Sequence, residues 1–183
     1  MKRAFALATV VVLLLPVALS AKDSRDSGDS RDSLVRFEGG IGVIPVSNVV
    51  VAATGAVTVT RNTVRGVNSP GQIWRIADLS ADVKPDGRIR VEGRGLLLAG
   101  GNGIGTTAGL SVFATLICEA TAPFVEHSSN TAGVLLQPDG DFRINDVLSP
   151  APPVVCTSPV LLIRNTNPTN QVWFAAGIPK LDD

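Results

Sequence analysis

The sequence contains no tyrosine and only six phenylalanines and two tryptophans. Surfaces that bind sugars or single-stranded nucleic acid use exposed aromatic rings, so this scarcity argues against both functions. Trp74 and Trp173 are therefore assigned to core packing. The formal net charge is zero, without the excess of basic residues expected of a protein that binds nucleic acid or anionic lipid. We predict no nucleic-acid partner.

Residues that could carry out catalysis are equally few. His127, which follows Glu126, is the only histidine in the chain, and we expect it to be a solvent-exposed loop residue. No Gly-x-Ser-x-Gly segment accompanies the serines considered as nucleophiles, Ser111, Ser128 and Ser129. The spacing reveals no carboxylate pair for glycoside chemistry among the acidic residues Asp78, Asp82, Glu92 and Glu119. The sequence predicts no catalytic residue, no metal site and no cofactor.

A long apolar run occurs only at the N-terminus. Lys2 and Arg3 precede apolar residues 4–15, Pro16 and the small residues of positions 17–21, which is the layout of a signal peptide over residues 1–21. The run is shorter than the roughly 20 apolar residues of a spanning helix. No later stretch is long enough, so we expect no stable membrane insertion after signal removal. The predicted location is secreted or periplasmic.

The segment that follows, residues 22–33, has almost nothing apolar to bury and is predicted to be a flexible tether of Asp, Ser and Arg. Its aspartates recur every third residue, but Arg25 and Arg31 lie among them and no calcium-binding loop is formed. Residues 34–183 have the length of one domain.

Apolar residues in this domain alternate with polar ones or form short runs between glycines and prolines. This pattern predicts an all-β fold, a single antiparallel β-sandwich or a small β-barrel. The predicted strands are Leu34–Glu38, Ile41–Val46, Val49–Ala52, Ala56–Thr60, Gln72–Lys84, Arg88–Ala99, Leu110–Cys118, Gly133–Gln137, Asp141–Val147, Pro159–Arg164 and Gln171–Ile178.

The segment Lys84-Pro-Asp-Gly-Arg88 predicts a hairpin turn, because proline presets its φ and glycine accepts a positive one. Pairing Lys84 with Arg88 places Asp82 opposite Arg90, Val83 opposite Ile89 and Ala81 opposite Val91, with one apolar and one charged face. The buried parity changes between Trp74 and Leu79, which predicts a β-bulge near Ala77 or Asp78. A related turn is expected at residues 137–141, as a second use of the same turn chemistry.

The strands Leu110–Cys118 and Val160–Ile163 are apolar on both faces, as in central strands covered on either side. Cys118 ends the first of them, and Cys156 lies in a proline-rich loop before the second. Two cysteines in an exported domain predict a disulfide between Cys118 and Cys156.

A glycine-rich loop contains Gly103-Ile-Gly105-Thr-Thr-Ala108, a formal match to a dinucleotide-binding fingerprint. The fingerprint requires a following helix, whereas the next segment reads as a strand, so we expect an ordinary exposed loop.

These observations predict an exported, non-enzymatic β domain that binds a protein partner or a small apolar ligand, or that has a structural role in the envelope or extracellular matrix. Two alternatives stay open. One is a small secreted hydrolase or isomerase with its site near the Gly100–Gly105 loop and His127. The other is a β-barrel carrier that encloses an apolar ligand.

Overall fold

The computed structural model describes residues 33–180, which form thirteen β-strands and, within this range, no helix that could cross a membrane. The predicted signal peptide and residues 22–32 of the predicted tether lie outside the described residues. The strands are β1 (Val35–Gly42), β2 (Val46–Val51), β3 (Val57–Arg61), β4 (Trp74–Arg75), β5 (Asp78–Val83), β6 (Arg88–Arg94), β7 (Leu97–Leu98), β8 (Ser111–Ile117), β9 (His127–Ser128), β10 (Val134–Leu135), β11 (Phe142–Val147), β12 (Val160–Asn165) and β13 (Trp173–Pro179).

Nine strands form one antiparallel, nearly closed, barrel-like sheet in the order β10-β8-β12-β13-β1-β5-β6-β11, with β9 added beside β8. The two ends of the sheet approach each other. β10 and β11 are joined by the turn at residues 137–141, and Ser128 and Ser149 exchange two backbone hydrogen bonds of 3.0 and 2.8 Å. The prediction of an all-β antiparallel fold is confirmed. Of the two architectures considered, sandwich and barrel, the large sheet resembles the barrel.

The β5–β6 hairpin has the predicted register, with Asp82 opposite Arg90, Val83 opposite Ile89 and Ala81 opposite Val91. Its turn is closed by hydrogen bonds from Lys84 N to Arg88 O and from Gly87 N to Lys84 O, with Gly87 at φ +85°. The turn between β10 and β11 repeats both bonds at residues 137–141, so the expected reuse of the turn chemistry is confirmed.

The predicted one-residue bulge near Ala77 or Asp78 is wrong. Trp74 pairs with Leu98 and Asp78 pairs with Arg94, so each strand has three residues between these pairs and no residue is inserted. The ladder is instead interrupted on both strands, since Leu96 N bonds to Gly140 O of the neighbouring turn. This interruption accommodates the change in buried parity between Trp74 and Leu79.

Several strand boundaries differ from the sequence prediction: Ile41–Val46 is not a separate strand, and Gln72–Lys84 and Arg88–Ala99 are each divided into two strands. Ile41 and Gly42 continue β1, because a register shift between Phe37 and Gly40 carries the strand past Gly39, which has φ +90°. The short strand β9 was not predicted, because two polar residues offer no alternation to read.

The core lies inside the barrel and around its central strands. Residues 112–117 of β8 and 161–165 of β12 are buried throughout, which confirms them as central strands covered on both faces. Trp74 stacks on Phe174 with ring centroids 4.1 Å apart, and Trp173 Nε1 donates to Asn62 O at 3.1 Å. Both tryptophans are buried, as predicted.

Cys118, directly after β8, is bonded to Cys156 in the loop before β12, so the predicted disulfide is present. The neighbouring backbone bond from Ser158 N to Cys118 O holds the same loop to the barrel. A disulfide of this kind indicates an oxidising environment.

β2 and β3 form a separate two-stranded sheet, residues 46–61, which we call the valine ribbon. Its root is held to the body by hydrogen bonds from Asn62 N and Ser69 Oγ to Pro45 O. Every residue of both strands is exposed, and within residues 33–180 no ribbon residue belongs to the buried core cluster.

Candidate functional site

His127 is buried, with 4% of its surface exposed, so the expectation of an exposed loop histidine is wrong. The backbone of His127, in strand β9, pairs with Leu116 of β8. The imidazole Nδ1 of His127 lies 2.9 Å from Pro150 O. Because a carbonyl oxygen only accepts, Nδ1 carries the proton. Nε2 is buried without a hydrogen-bond partner among the described residues.

A polar network lies beside His127. Arg164 of β12 is buried, and its Nη1 contacts Glu126 Oε2 at 2.6 Å and Thr115 Oγ1 at 3.4 Å. Thr115 Oγ1 in turn lies 2.9 Å from Ser128 Oγ. The guanidinium also lies over the Phe113 ring, 5.3 Å from its centroid. Arg164 Nε also donates to Gln171 O at 3.0 Å. The network therefore satisfies a buried charge with one carboxylate, one hydroxyl, one carbonyl oxygen and one aromatic face.

The serines near His127 are not arranged as nucleophiles. His127 pairs with Leu116 and Ser128 with Thr115, so the His127 and Ser128 side chains point to opposite faces of the sheet. Ser129 Oγ accepts a hydrogen bond from Ala114 N at 3.1 Å. Within the described range no serine hydroxyl is bonded to the imidazole, and the arrangement offers no serine–histidine pair.

The glycine-rich loop is far from His127. The bond from Leu110 N to Thr107 O brings this loop to the beginning of β8, whereas His127 pairs near the end of the strand, at Leu116. Leu116 lies six positions along the strand from Leu110, a distance of about 20 Å. The structure does not bring together the two features considered for an enzymatic site, and the loop leads into a strand as expected.

The acidic residues considered for glycoside chemistry lie apart in separate surroundings. Asp82 forms an ion pair with Lys84 at 2.9 Å, and Glu92 lies 3.7 Å from Arg143. Glu119 accepts a hydrogen bond from Val125 N, which lowers the pKa of its carboxyl below the usual value. Asp78 pairs with Arg94 in the β5–β6 ladder.

A cleft of about 550 Å³ lies beside the two ends of the large sheet. Val134, Leu135 and Phe142 supply its apolar part. Its rim is charged and mixed in sign, from Glu92, Arg94, Asp141 and Arg143. Across residues 33–180 no three His, Cys, Asp or Glu side chains are grouped as metal ligands.

The valine ribbon presents the least expected surface. Its register pairs Val49 with Val59 and Val51 with Val57, so these four side chains share one face, which we call the valine face. They are exposed by 54%, 54%, 65% and 61%, respectively. The opposite face carries the pairs Val50–Thr58 and Asn48–Thr60 and is mostly polar.

In the sequence, this surface is indicated by the alternation Val57-Thr-Val-Thr60. That alternation predicts a half-buried strand, but not which molecule buries it. Arg164 was also missed as a network residue, because it follows a run of apolar residues and its partner Glu126 is distant in the sequence. Searches of protein-family models, curated proteins and solved structures find no match to this chain.

Proposed function

We propose that this protein is an exported, non-enzymatic binding domain, and that its contact surface is the valine face of the ribbon. The observation that carries the proposal is a sheet face of four valines, each more than half exposed, on a strand pair with a polar opposite face. In antiparallel sheets such a two-sided pattern accompanies burial of the apolar face.

The ribbon gains little free energy when it folds without a covering layer. An isolated two-stranded hairpin is marginally stable in water, and three strands or packing against another element are normally needed. Here the ribbon pairs with no other strand of residues 33–180. A binding partner that covers the valine face would supply the missing layer.

Location outside the cytoplasm is the second part of the proposal. It is supported by the N-terminal pattern of Lys2 and Arg3 followed by apolar residues 4–15. The Cys118–Cys156 disulfide is consistent with it, since such bonds persist in oxidising compartments. We propose cleavage of residues 1–21 and release into the periplasm or the medium.

The test is site-specific photo-crosslinking in cells of the producing organism. A benzophenone side chain is placed at Val51 on the valine face or, as the matched control, at Val50 on the opposite face. We expect covalent protein adducts from position 51 and few from position 50. Absence of adducts from position 51, or equal adducts from both positions, would overturn the proposal.

A further inference from the structure

We infer that a pocket at one end of the barrel binds a small, neutral aromatic molecule that carries one O–H or N–H group, and that Asn165 recognises this group. The pocket has a volume of about 280 Å³. None of the described residues that line it belongs to the valine ribbon, so the inference goes beyond the proposed function.

The pocket lies where several strands begin or end. β12 ends at Asn165, β13 begins at Trp173 and β8 begins at Ser111, and the antiparallel pairing brings these three ends together. Cys118 follows the other end of β8, so the pocket and the disulfide lie at opposite ends of the barrel. The mouths of β-barrels are among the preferred positions of small-molecule sites.

The walls of the pocket are held by backbone hydrogen bonds. On one side, the glycine-rich loop folds back on Leu98, whose N donates to Thr106 O at 2.9 Å. On the other side, Trp74 N donates to Val43 O at 3.1 Å, and Val43 N donates to Phe174 O at 3.0 Å. The pocket is therefore formed before a ligand arrives, as most small-molecule sites are.

The apolar part of the pocket favours a flat ring. It includes the stacked pair Trp74 and Phe174, together with Leu98 and Val172. Aromatic rings pack well against a further ring, either offset-stacked or edge to face. The volume is just below the roughly 300–1,000 Å³ of pockets for drug-sized ligands, so the pocket suits a molecule with a single ring.

The lining also restricts the charge of the ligand. None of the described residues that line the pocket is charged. Arg75 and Arg164 each adjoin a lining residue in the chain, but successive residues of a strand point to opposite faces, and Arg164 is engaged with Glu126. A charged ligand would lose its hydration here without gaining an ion pair, so the ligand is neutral.

Asn165 supplies the polar contact. The residue is only 9% exposed, and its Oδ1 is buried without a hydrogen-bond partner among residues 33–180. A half-turn of the amide about the Cβ–Cγ bond exchanges Oδ1 and Nδ2, and no hydrogen bond of Oδ1 opposes this turn. A ligand that donates to Oδ1 would satisfy an acceptor that the folded chain leaves unpaired, which favours an O–H or N–H group.

An NMR titration with phenol tests the pocket. The chain has two tryptophans, and each gives its own indole N–H signal. Trp74 lines the pocket, whereas Trp173 does not and donates its Nε1 hydrogen to Asn62 O. Phenol should shift the Trp74 signal with half-saturation at about 1 mM and leave the Trp173 signal in place. No shift of the Trp74 signal at about 10 mM, or equal shifts of both signals, would overturn the pocket as a binding site.

Fluorobenzene, which has nearly the shape of phenol but no O–H group, tests the polar contact. The native protein should bind phenol about tenfold more tightly, the effect expected of one satisfied hydrogen bond. Asn165→Leu should remove this preference. Asn170→Leu changes another amide of the same lining, so it is the matched control and should keep the preference.

Three outcomes would overturn Asn165 as the recognising residue. They are equal binding of phenol and fluorobenzene to the native protein, a preference lost in both variants, and a preference kept in both. Should Asn165→Leu fail to fold, the side-chain amide signals of Asn165 in the native protein decide instead. Phenol should shift these signals and fluorobenzene should not, and the absence of a phenol shift would reject the contact.

Discussion

Arg164 and Glu126 show how a single residue pair acts in the wall of the barrel. The arginine side chain is 7% exposed and the glutamate side chain is 47% exposed. The two partners therefore differ in burial. Loss of the glutamate leaves a buried guanidinium without its counter-charge, whereas loss of the arginine leaves a carboxylate that water can reach.

We expect Glu126→Gln to lower the free energy of unfolding by about 1–2 kcal/mol, since the amide retains an acceptor but removes the charge that balances Arg164. Glu38→Gln is the matched control, because the Glu38–Lys180 pair is 61% and 36% exposed. Its loss should cost less than about 0.5 kcal/mol. Urea unfolding measures both, and equal effects would contradict the unequal burial as the cause.

His127 illustrates how burial at the residue scale can escape sequence reasoning. Histidine is polar, and its neighbours Glu126 and Ser128 are polar, so the local pattern favours a loop at the surface. The tertiary structure places its backbone beside Leu116 and gives Nδ1 a carbonyl acceptor from Pro150. Leu116 and Pro150 are not local neighbours of His127 in the sequence, and no periodic pattern indicates either contact.

At the scale of elements, the β5–β6 hairpin was predictable to the individual residue pair. Proline and glycine fix the turn, and alternation on both strands fixes the register, so local chemistry and burial agree. The break between β4 and β5 was detected only as a change of parity. Its nature depends on the bond from Leu96 N to Gly140 O, which joins the break between β6 and β7 to a turn that is distant in the sequence.

The valine ribbon should be dispensable for folding. Replacing residues 47–60 with Asn-Gly, which connects the paired residues Val46 and Arg61, should change the free energy of unfolding by less than about 0.5 kcal/mol, because the ribbon adds nothing to the buried core. Urea unfolding at low protein concentration measures this. Loss of the cooperative transition would show that the ribbon stabilises the barrel.

For the whole molecule, the disulfide constrains a closed loop with a sequence separation of 38 residues. That loop contains β9, β10 and β11, and so spans both ends of the large sheet. This segment brings the two ends of the sheet together in the folded protein. Without the disulfide, the same segment has more conformational freedom in the unfolded chain. The cost should therefore appear in global stability and not only near Cys118.

The double replacement of Cys118 and Cys156 with alanine should lower the free energy of unfolding by about 4 kcal/mol, as expected from loop-closure entropy for this separation. Alanine is chosen because Cys118 is buried and a serine hydroxyl would be left there without a partner. The unfolding midpoint in urea is the measurement. A midpoint unchanged from that of the native protein would exclude a stabilising role for the bond.

The sequence by itself determined the β class, the turns, the central strands and the disulfide. Each of these is encoded by residues close in the chain or, for the cysteines, by a pair with no alternative partner. Only the tertiary structure decided the closure of the sheet, the burial of His127 and the exposure of the valine face. These depend on which strands meet across the barrel. The alternation of apolar and polar residues indicates that a face is apolar, but not what covers it.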